Sequence, residues 1–368
     1  MGDHSGGAEN STSSSLGLLD AEHVDVVRHA LQKMLAAEIV ETTFSEIIDG
    51  LPTRASWLEF DLWNEKHPVN LLKHEALCDG AREKARRFRD EFDIYILTFP
   101  PSILQDFQKA GPETKEYFLS LIELLAQSCH QIAARLFQLD DGFHKHSIYE
   151  AWRDAPIDPQ SNPWRVAPLP SAFCHGSYVF HEQYPHGIAD VVGYWAEARI
   201  FGGVVVFDRG PSGAERREVY LHAGHQQSPL TLFPPTSDQF KSLVQFLLQP
   251  GSGPCPLPIE ASRLNGYRYH PDDAISRFNI FRDRYERKEP PIRSTHHSWN
   301  NSRNWPEIEY LFEFIALQEK RAQGIEIDEA ELNAAEEGMR RITPSSPDWQ
   351  GAGVMDPEAD PRDSSEYF

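Results

Sequence analysis

Residues 184–209 constrain the fold more than any other part of this chain. They are dense in glycine, aromatic and β-branched side chains. Val204, Val205 and Val206 form an unbroken apolar run that suits a strand covered on both faces. Gly202 and Gly203 supply the backbone freedom of a tight corner. The segment therefore reads as two strands, 188–197 and 203–208, joined by a glycine corner. It contains no catalytic motif. It is a signature of fold.

The flanking sequence extends that reading. Further strands are expected at 177–182 and 218–222, with a strong turn signal at Arg209-Gly210-Pro211-Ser212-Gly213 between hairpin arms. Upstream the pattern is helical. Val24, Val27, Leu31, Leu35 and Ile39 recur at helical spacing within 18–49, and Asp20 is a plausible N-cap. Shorter helices are expected at 57–63 and 71–90. Residues 94–99 form an apolar segment ended by Pro100-Pro101. The clearest helix is 113–139, where Phe118, Ile122, Leu125, Cys129, Ile132, Leu136 and Leu139 mark one apolar face. Downstream, Pro234-Pro235-Thr236 opens a helix over 237–248. Helices follow at 271–288, 306–320 and 328–341. These elements predict an α+β fold: an N-terminal helical bundle packed on a small antiparallel β-meander, with C-terminal helices over it. The expected divisions are a disordered tail at 1–17, a helical region at 18–155, a proline-rich linker at 156–170, antiparallel β plus helix at 171–249, a C-terminal helical region at 259–343, and an acidic disordered tail at 344–368.

Charge narrows the partners. The formal net charge is −21, which argues against wholesale wrapping by DNA. Residues 307–368 carry 16 acidic and 5 basic side chains, whereas 263–303 carry 9 basic and 5 acidic. In the latter stretch arginines alternate with Tyr267, Tyr269, Phe278, Phe281, Tyr285 and Trp299, the ingredients of a base-stacking, phosphate-clamping surface. Asp272, Asp273, Asp283, Glu286 and Glu289 lie among them, so helical i,i+4 ion pairing is the simpler reading. No run of about 18 apolar residues exists to span a membrane. The four cysteines make no C-x-x-C pair and suit a reducing compartment.

Candidate chemistry is sparse. His175, His181 and His186 gather near Glu182, and His222 and His225 follow, yet their spacing fits no metal motif, so no metal is expected there. Cys174 and His175 are sequence neighbours, which rarely aims an imidazole at a thiol. Glu197 and Asp208, placed on adjacent strands, resemble a paired-carboxylate site. Salt bridges to Arg199 or Arg209 explain them more simply.

The 184–209 signature, followed by Phe233-Pro234-Pro235-Thr236 and a helix, resembles a family of filamentous ascomycete proteins. Within it the chain looks like the auxiliary mating-type proteins of the A idiomorph, of the sporulation-minus-regulator type. Those carry short His/Pro/Gly or Pro/Pro/Phe signatures. The candidate counterparts are Pro185, His186 and Gly187, or Phe99-Pro100-Pro101 with Phe107. Trp195, Gly202, Gly203, Asp208, Pro234 and Pro235 complete the family-signature and structural set. The resemblance implies a non-enzymatic factor for sexual development after fertilisation and ascospore formation. Relatives at that locus read DNA through an HMG box or an α-box, and this chain shows neither. The expectation is therefore a regulatory or interaction protein, cytoplasmic or alternatively nuclear. It needs no cofactor and has protein partners that include DNA-binding mating-type proteins. Two alternatives remain: an enzyme or accessory protein of fungal metabolism with a His/Glu site in the central hairpins, and a DNA-bound transcription factor.

Overall fold

The computed structural model describes residues 14–61, 64–156, 168–249, 251, 253–288, 300–347 and 349. Most of the 156–170 linker, most of both expected tails, and Trp63 lie outside them. The fold is α+β, with two small antiparallel sheets.

The N-terminal half is helical. Strand β1 (Ser14–Ser15) leads into α1 (Ala21–Leu35), whose N-cap Asp20 accepts a hydrogen bond from the His23 amide at 3.0 Å. The single helix expected over 18–49 is two. After α1 the chain turns extended at Ala37 and restarts as α2 (Glu38–Asp49). Neither alanine is a breaker residue, and both helices face one core, so the apolar spacing runs across the break unmarked. Gly50 then caps α2 at φ 98°. Helices α3 (Arg54–Phe60) and α4 (Pro68–Leu71) follow. The helix expected from 71 starts only after Gly80, as α5 (Ala81–Glu91). Strand β2 (Thr98–Phe99) pairs with β1, so residues 14–17, expected as tail, belong to the fold, and Leu16 is fully buried. Helices α6 (Pro101–Lys109), α7 (Lys115–Leu139) and α8 (His146–Arg153) complete this half.

The centre departs most from expectation. Residues 188–197 are not a strand but the body of α9 (Ile188–Phe201), and 177–182 forms no strand either. Every residue of α9 from Ala189 onward is buried. A helix covered on all sides loses its polar face, and with it the 3.6-residue signature. Its β-branched and aromatic side chains then mimic a strand. Gly202, at φ 89°, is therefore a left-handed helix C-cap that turns the chain into β3 (Val204–Asp208). A Cβ on Gly202 would overlap the carbonyl oxygen of Ile259, and one on Gly203 would lie 2.8 Å from the His222 backbone.

Strand β3 is central. It pairs antiparallel with β4 (Val219–His222), Val204 opposite His222 and Phe207 opposite Val219. Helices α10 (Ser237–Leu248) and α11 (Pro271–Phe278) precede β5 (Ile280–Phe281), which returns to the other side of β3 with Phe207 opposite Phe281. The sheet order is thus β4-β3-β5. The helix expected to reach 288 stops at Phe278, because Asn279 turns left-handed at φ 51°. Helices α12 (Glu307–Ala322) and α13 (Glu329–Arg340) form a C-terminal hairpin. Beyond it the Ser345 hydroxyl accepts from the His270 amide at 2.8 Å and both Ser345 and Ser346 are buried, so the start of the expected acidic tail is packed. Among the described residues no helix is long and apolar enough to cross a membrane.

Candidate functional site

The polar centre of the molecule lies where α7 meets α9. Gly193 makes the approach possible, because a Cβ there would come within 2.6 Å of the His130 ring on α7. The ring lies between two carboxylates of α9. His130 Nδ1 is 2.7 Å from Glu197 Oε1, and Nε2 is 3.1 Å from Asp190 Oδ1. Asp190 and Glu197 are seven residues apart, two helical turns, and so share a face. Arg282, just past β5, reaches both oxygens of Glu197 at 2.7 Å. The Val205 amide donates to Glu197 Oε2 at 3.4 Å. The His186 amide donates to Asp190 Oδ2 at 2.7 Å, and His186 Nδ1 lies 3.1 Å from Oδ1.

Electrostatics explain why this cluster survives burial. Burial opposes charge on His130, but hydrogen bonds to Asp190 and Glu197 outweigh it and raise its pKa. Burial likewise works against the Asp190 carboxylate. The His130 hydrogen bond and charge override that and hold it at about 2. Glu197 is lowered in the same way, against burial, by Arg282 and His130. His130 and Arg282 thus face two carboxylates, and all four carboxylate oxygens accept hydrogen bonds.

A second layer lies beside it. Glu286 Oε2 accepts the Arg282 and Asp283 amides at 3.1 Å each, while Oε1 has no hydrogen-bond partner. Burial pushes this carboxyl up to about 7. Arg287 donates to the Pro271 carbonyl at 2.9 Å and lies over the Tyr178 ring. Tyr178 stacks on Tyr194, and its hydroxyl is 3.3 Å from His222 Nδ1. His175 Nε2 points at the His222 carbonyl, 3.1 Å away, and not at Cys174. Burial lowers His175 to about 4 and carries His222 well below its ordinary value.

The residues singled out in sequence divide among several places. His186 joins the α7–α9 cluster through Asp190. Pro185 is exposed, and Gly187 takes φ 61° ahead of α9. Trp195 is buried on α9 among Phe60, Phe173 and the Arg199 guanidinium. Asp208 caps the β3 end by accepting from the Gly210 amide at 2.9 Å. Pro234 and Pro235 are buried before α10, and the Pro234 carbonyl accepts from Asn265. Phe99 and Phe107 are both core residues. Of the five candidate histidines, His175 and His222 meet with ring centroids 5.0 Å apart and His225 shares Phe60 with His175, whereas His181 sits by Glu182 at the surface and His186 joins Asp190.

The ion pairing expected for Glu197 and Asp208 is also different. Arg199 pairs with Glu46 at 2.5 Å, and Arg209 with Glu123 at 2.6 Å. With Arg216 also on Glu123, those cations overcome burial and hold that carboxyl at about 2. Within 263–303, Arg268 and Arg282 are buried and paired with internal groups, and Arg287 is buried with one of its nitrogens on the Pro271 carbonyl and Nε and Nη2 without a partner. Three of the nine basic residues of the stretch are thus turned inward. His130 carries no local motif in sequence, because it sits in a strongly apolar helix. A titratable residue interrupting such a face was the available signal.

A cleft of about 320 Å³ opens beside His186, lined by His146, Tyr149, Phe173 and Ile188 among others. Comparison with known protein families, curated proteins and solved structures finds no match to this chain.

Proposed function

We propose that the chain is a non-enzymatic regulatory protein that works by binding a protein partner, of the mating-type kind its signature resembles. Its place is then in sexual development after fertilisation, where ascospores form. The supporting observation is a ridge on α12. Tyr310 and Leu317 are buried, whereas Leu311, Phe312 and Ile315 are exposed, Phe312 by 67%. These three lie at i, i+1 and i+4, one contiguous apolar strip on a helix. The surrounding sequence is acidic, with a net of −11 over 307–368. An apolar strip in an acidic field suits a basic partner, the charge of a DNA-binding mating-type protein. The inward use of Arg268, Arg282 and Arg287 favours a protein partner over direct DNA reading. The internal pairing of Asp190 and Glu197 with His130 and Arg282 favours a scaffold over catalysis.

The test is genetic. Deleting the gene in its native host and crossing to the opposite mating type is expected to block ascospores. The wild-type gene restores them, and a Phe312→Ser, Ile315→Ser double variant of wild-type stability does not. Normal ascospores from the deletion strain would remove the reading.

A further inference from the structure

A second polar cluster lies away from the α7–α9 interface, at the C-terminal end of α2. It gathers Asp49 from α2, His74 and Cys78 from the loop before α5, and His144 from the loop before α8. We propose that Asp49, His74, Cys78 and His144 bind a divalent transition-metal ion, with zinc the best match to the donors.

Three donor atoms converge, and the Asp49 carboxylate lies beside them. Cys78 Sγ is 3.5 Å from His144 Nε2. Asp49 Oδ2 is 3.6 Å from His74 Nε2, and Asp49 Oδ1 is 3.7 Å from His144 Nε2. The donor atoms of His74, Cys78 and His144 all lie within 4.8 Å of one another. Zinc at ordinary bond lengths sets its nitrogen, oxygen and sulfur ligands about 3.3–3.6 Å apart. The separation between Asp49 Oδ1 and His144 Nε2 is too long for a hydrogen bond and close to that spacing.

Two buried atoms indicate a missing ligand. Asp49 Oδ1 and His74 Nε2 have no hydrogen-bond partner, although Asp49 is fully buried and His74 nearly so. Unpaired buried polar atoms are costly and call for an explanation. The outer contacts are those a metal site needs. Asp49 Oδ2 is held by the Cys78 amide at 2.7 Å, which leaves Oδ1 to bind. His74 Nε2, which has no hydrogen-bond partner, is the ring atom that faces Asp49.

The backbone is shaped for the same convergence. The His144 amide donates to the Asp49 carbonyl at 2.7 Å. Side chains at Gly50 or Gly142 would overlap the carbonyls of His144 and Ile48. Only glycine lets the loop lie this close to the end of α2.

On binding, the Cys78 S–H bond breaks, a metal–sulfur bond forms, and the proton leaves to solvent. The two imidazoles donate as neutral ligands. A dication with one thiolate and one carboxylate is neutral overall, which suits a buried position. With Asp49 Oδ1 turned onto the ion as a fourth ligand no position stays open, and the ion acts as a structural clip joining three segments. The site does not depend on the partner-binding role proposed above.

The experiment uses full-length protein stripped with a chelator, dialysed, and titrated with Co²⁺ and then Zn²⁺. Stoichiometric cobalt binding with a thiolate-to-metal charge-transfer band, erased by zinc, is expected. Cys78→Ala abolishes the band. His144→Ala, at the more exposed edge, weakens binding more than about 100-fold, beyond the 10–100-fold typical of losing a supporting outer group. His186→Ala binds as wild type. Circular dichroism confirms that each variant is folded. Folded wild-type protein that binds neither ion stoichiometrically overturns the proposal. So does a band that persists in Cys78→Ala.

Discussion

Gly202→Ala tests the geometry at the end of α9, with Gly324→Ala as its matched control. Both glycines have positive φ, 89° and 76°. They differ in surroundings. Nothing lies within 4 Å of a Cβ built at Gly324, whereas one at Gly202 overlaps the Ile259 carbonyl oxygen. Left-handed backbone costs an alanine about 1–2 kcal/mol, and that is the whole expected cost at position 324. At 202 the 259 segment must also move. Ile259 donates its amide to the Phe201 carbonyl at 3.0 Å, and disrupting a buried backbone pair costs about 1–3 kcal/mol more. The expected totals are about 1–2 kcal/mol for Gly324→Ala and about 2–5 kcal/mol for Gly202→Ala. For a protein of this size each kcal/mol moves the melting temperature by about 1–2 °C. Thermal melts of the two purified variants, followed by near-UV circular dichroism, separate strain alone from strain plus overlap. Equal shifts would refute the close approach of Ile259 to the helix cap.

Other outcomes follow from the same contacts. Arg282→Ala leaves Glu197 buried beside His130 alone and is expected to cost about 3–5 kcal/mol in denaturant unfolding, whereas exchange of an exposed partner costs far less. The raised Glu286 carboxyl gives a pH signature. Its folded-state pKa of about 7 exceeds its ordinary value. The native state therefore holds a proton that the unfolded chain has lost, and stability falls as pH rises from the ordinary glutamate range through about 7. Glu286→Gln keeps an acceptor for the two amides and removes that fall, so its advantage in melting temperature over wild type grows between pH 5 and 8; a constant difference would remove the assignment. Ending the chain at Thr343 deletes Ser345 and its hydrogen bond to the His270 amide, and is expected to lower the melting temperature, contrary to the behaviour of an unpacked tail.

The amphipathic helices were legible in sequence. Lys115–Leu139 and Ser237–Leu248 keep an apolar stripe and begin at a threonine cap, and their bounds fall close to the pattern. Strand β3 was legible through its valines. Helix α9 was not, because complete burial removes the contrast between faces on which periodicity depends. The break at Ala36–Ala37 was hidden because both helices share one core. The site was less accessible still. Glu197 was noticed, but its partners His130 and Arg282 are 67 and 85 residues away, and no local spacing rule reaches that far. Asp49, His74, Cys78 and His144 are likewise joined only by chain reversal at Gly50 and around Gly142.

The all-round burial of α9 also orders events in time. A segment with no solvent face has little reason to be helical until its neighbours exist, since short isolated helices are marginal in water. Its walls include α7, made earlier, and β3, made just after it. Arg282, which neutralises Glu197, is synthesised 85 residues later. During synthesis the Glu197 carboxylate must stay hydrated, or share His130 alone, until that arginine emerges. In the finished protein the amides of Ile188–Phe201 open only when the whole core opens, and they are expected to be among the last to exchange with deuterated solvent.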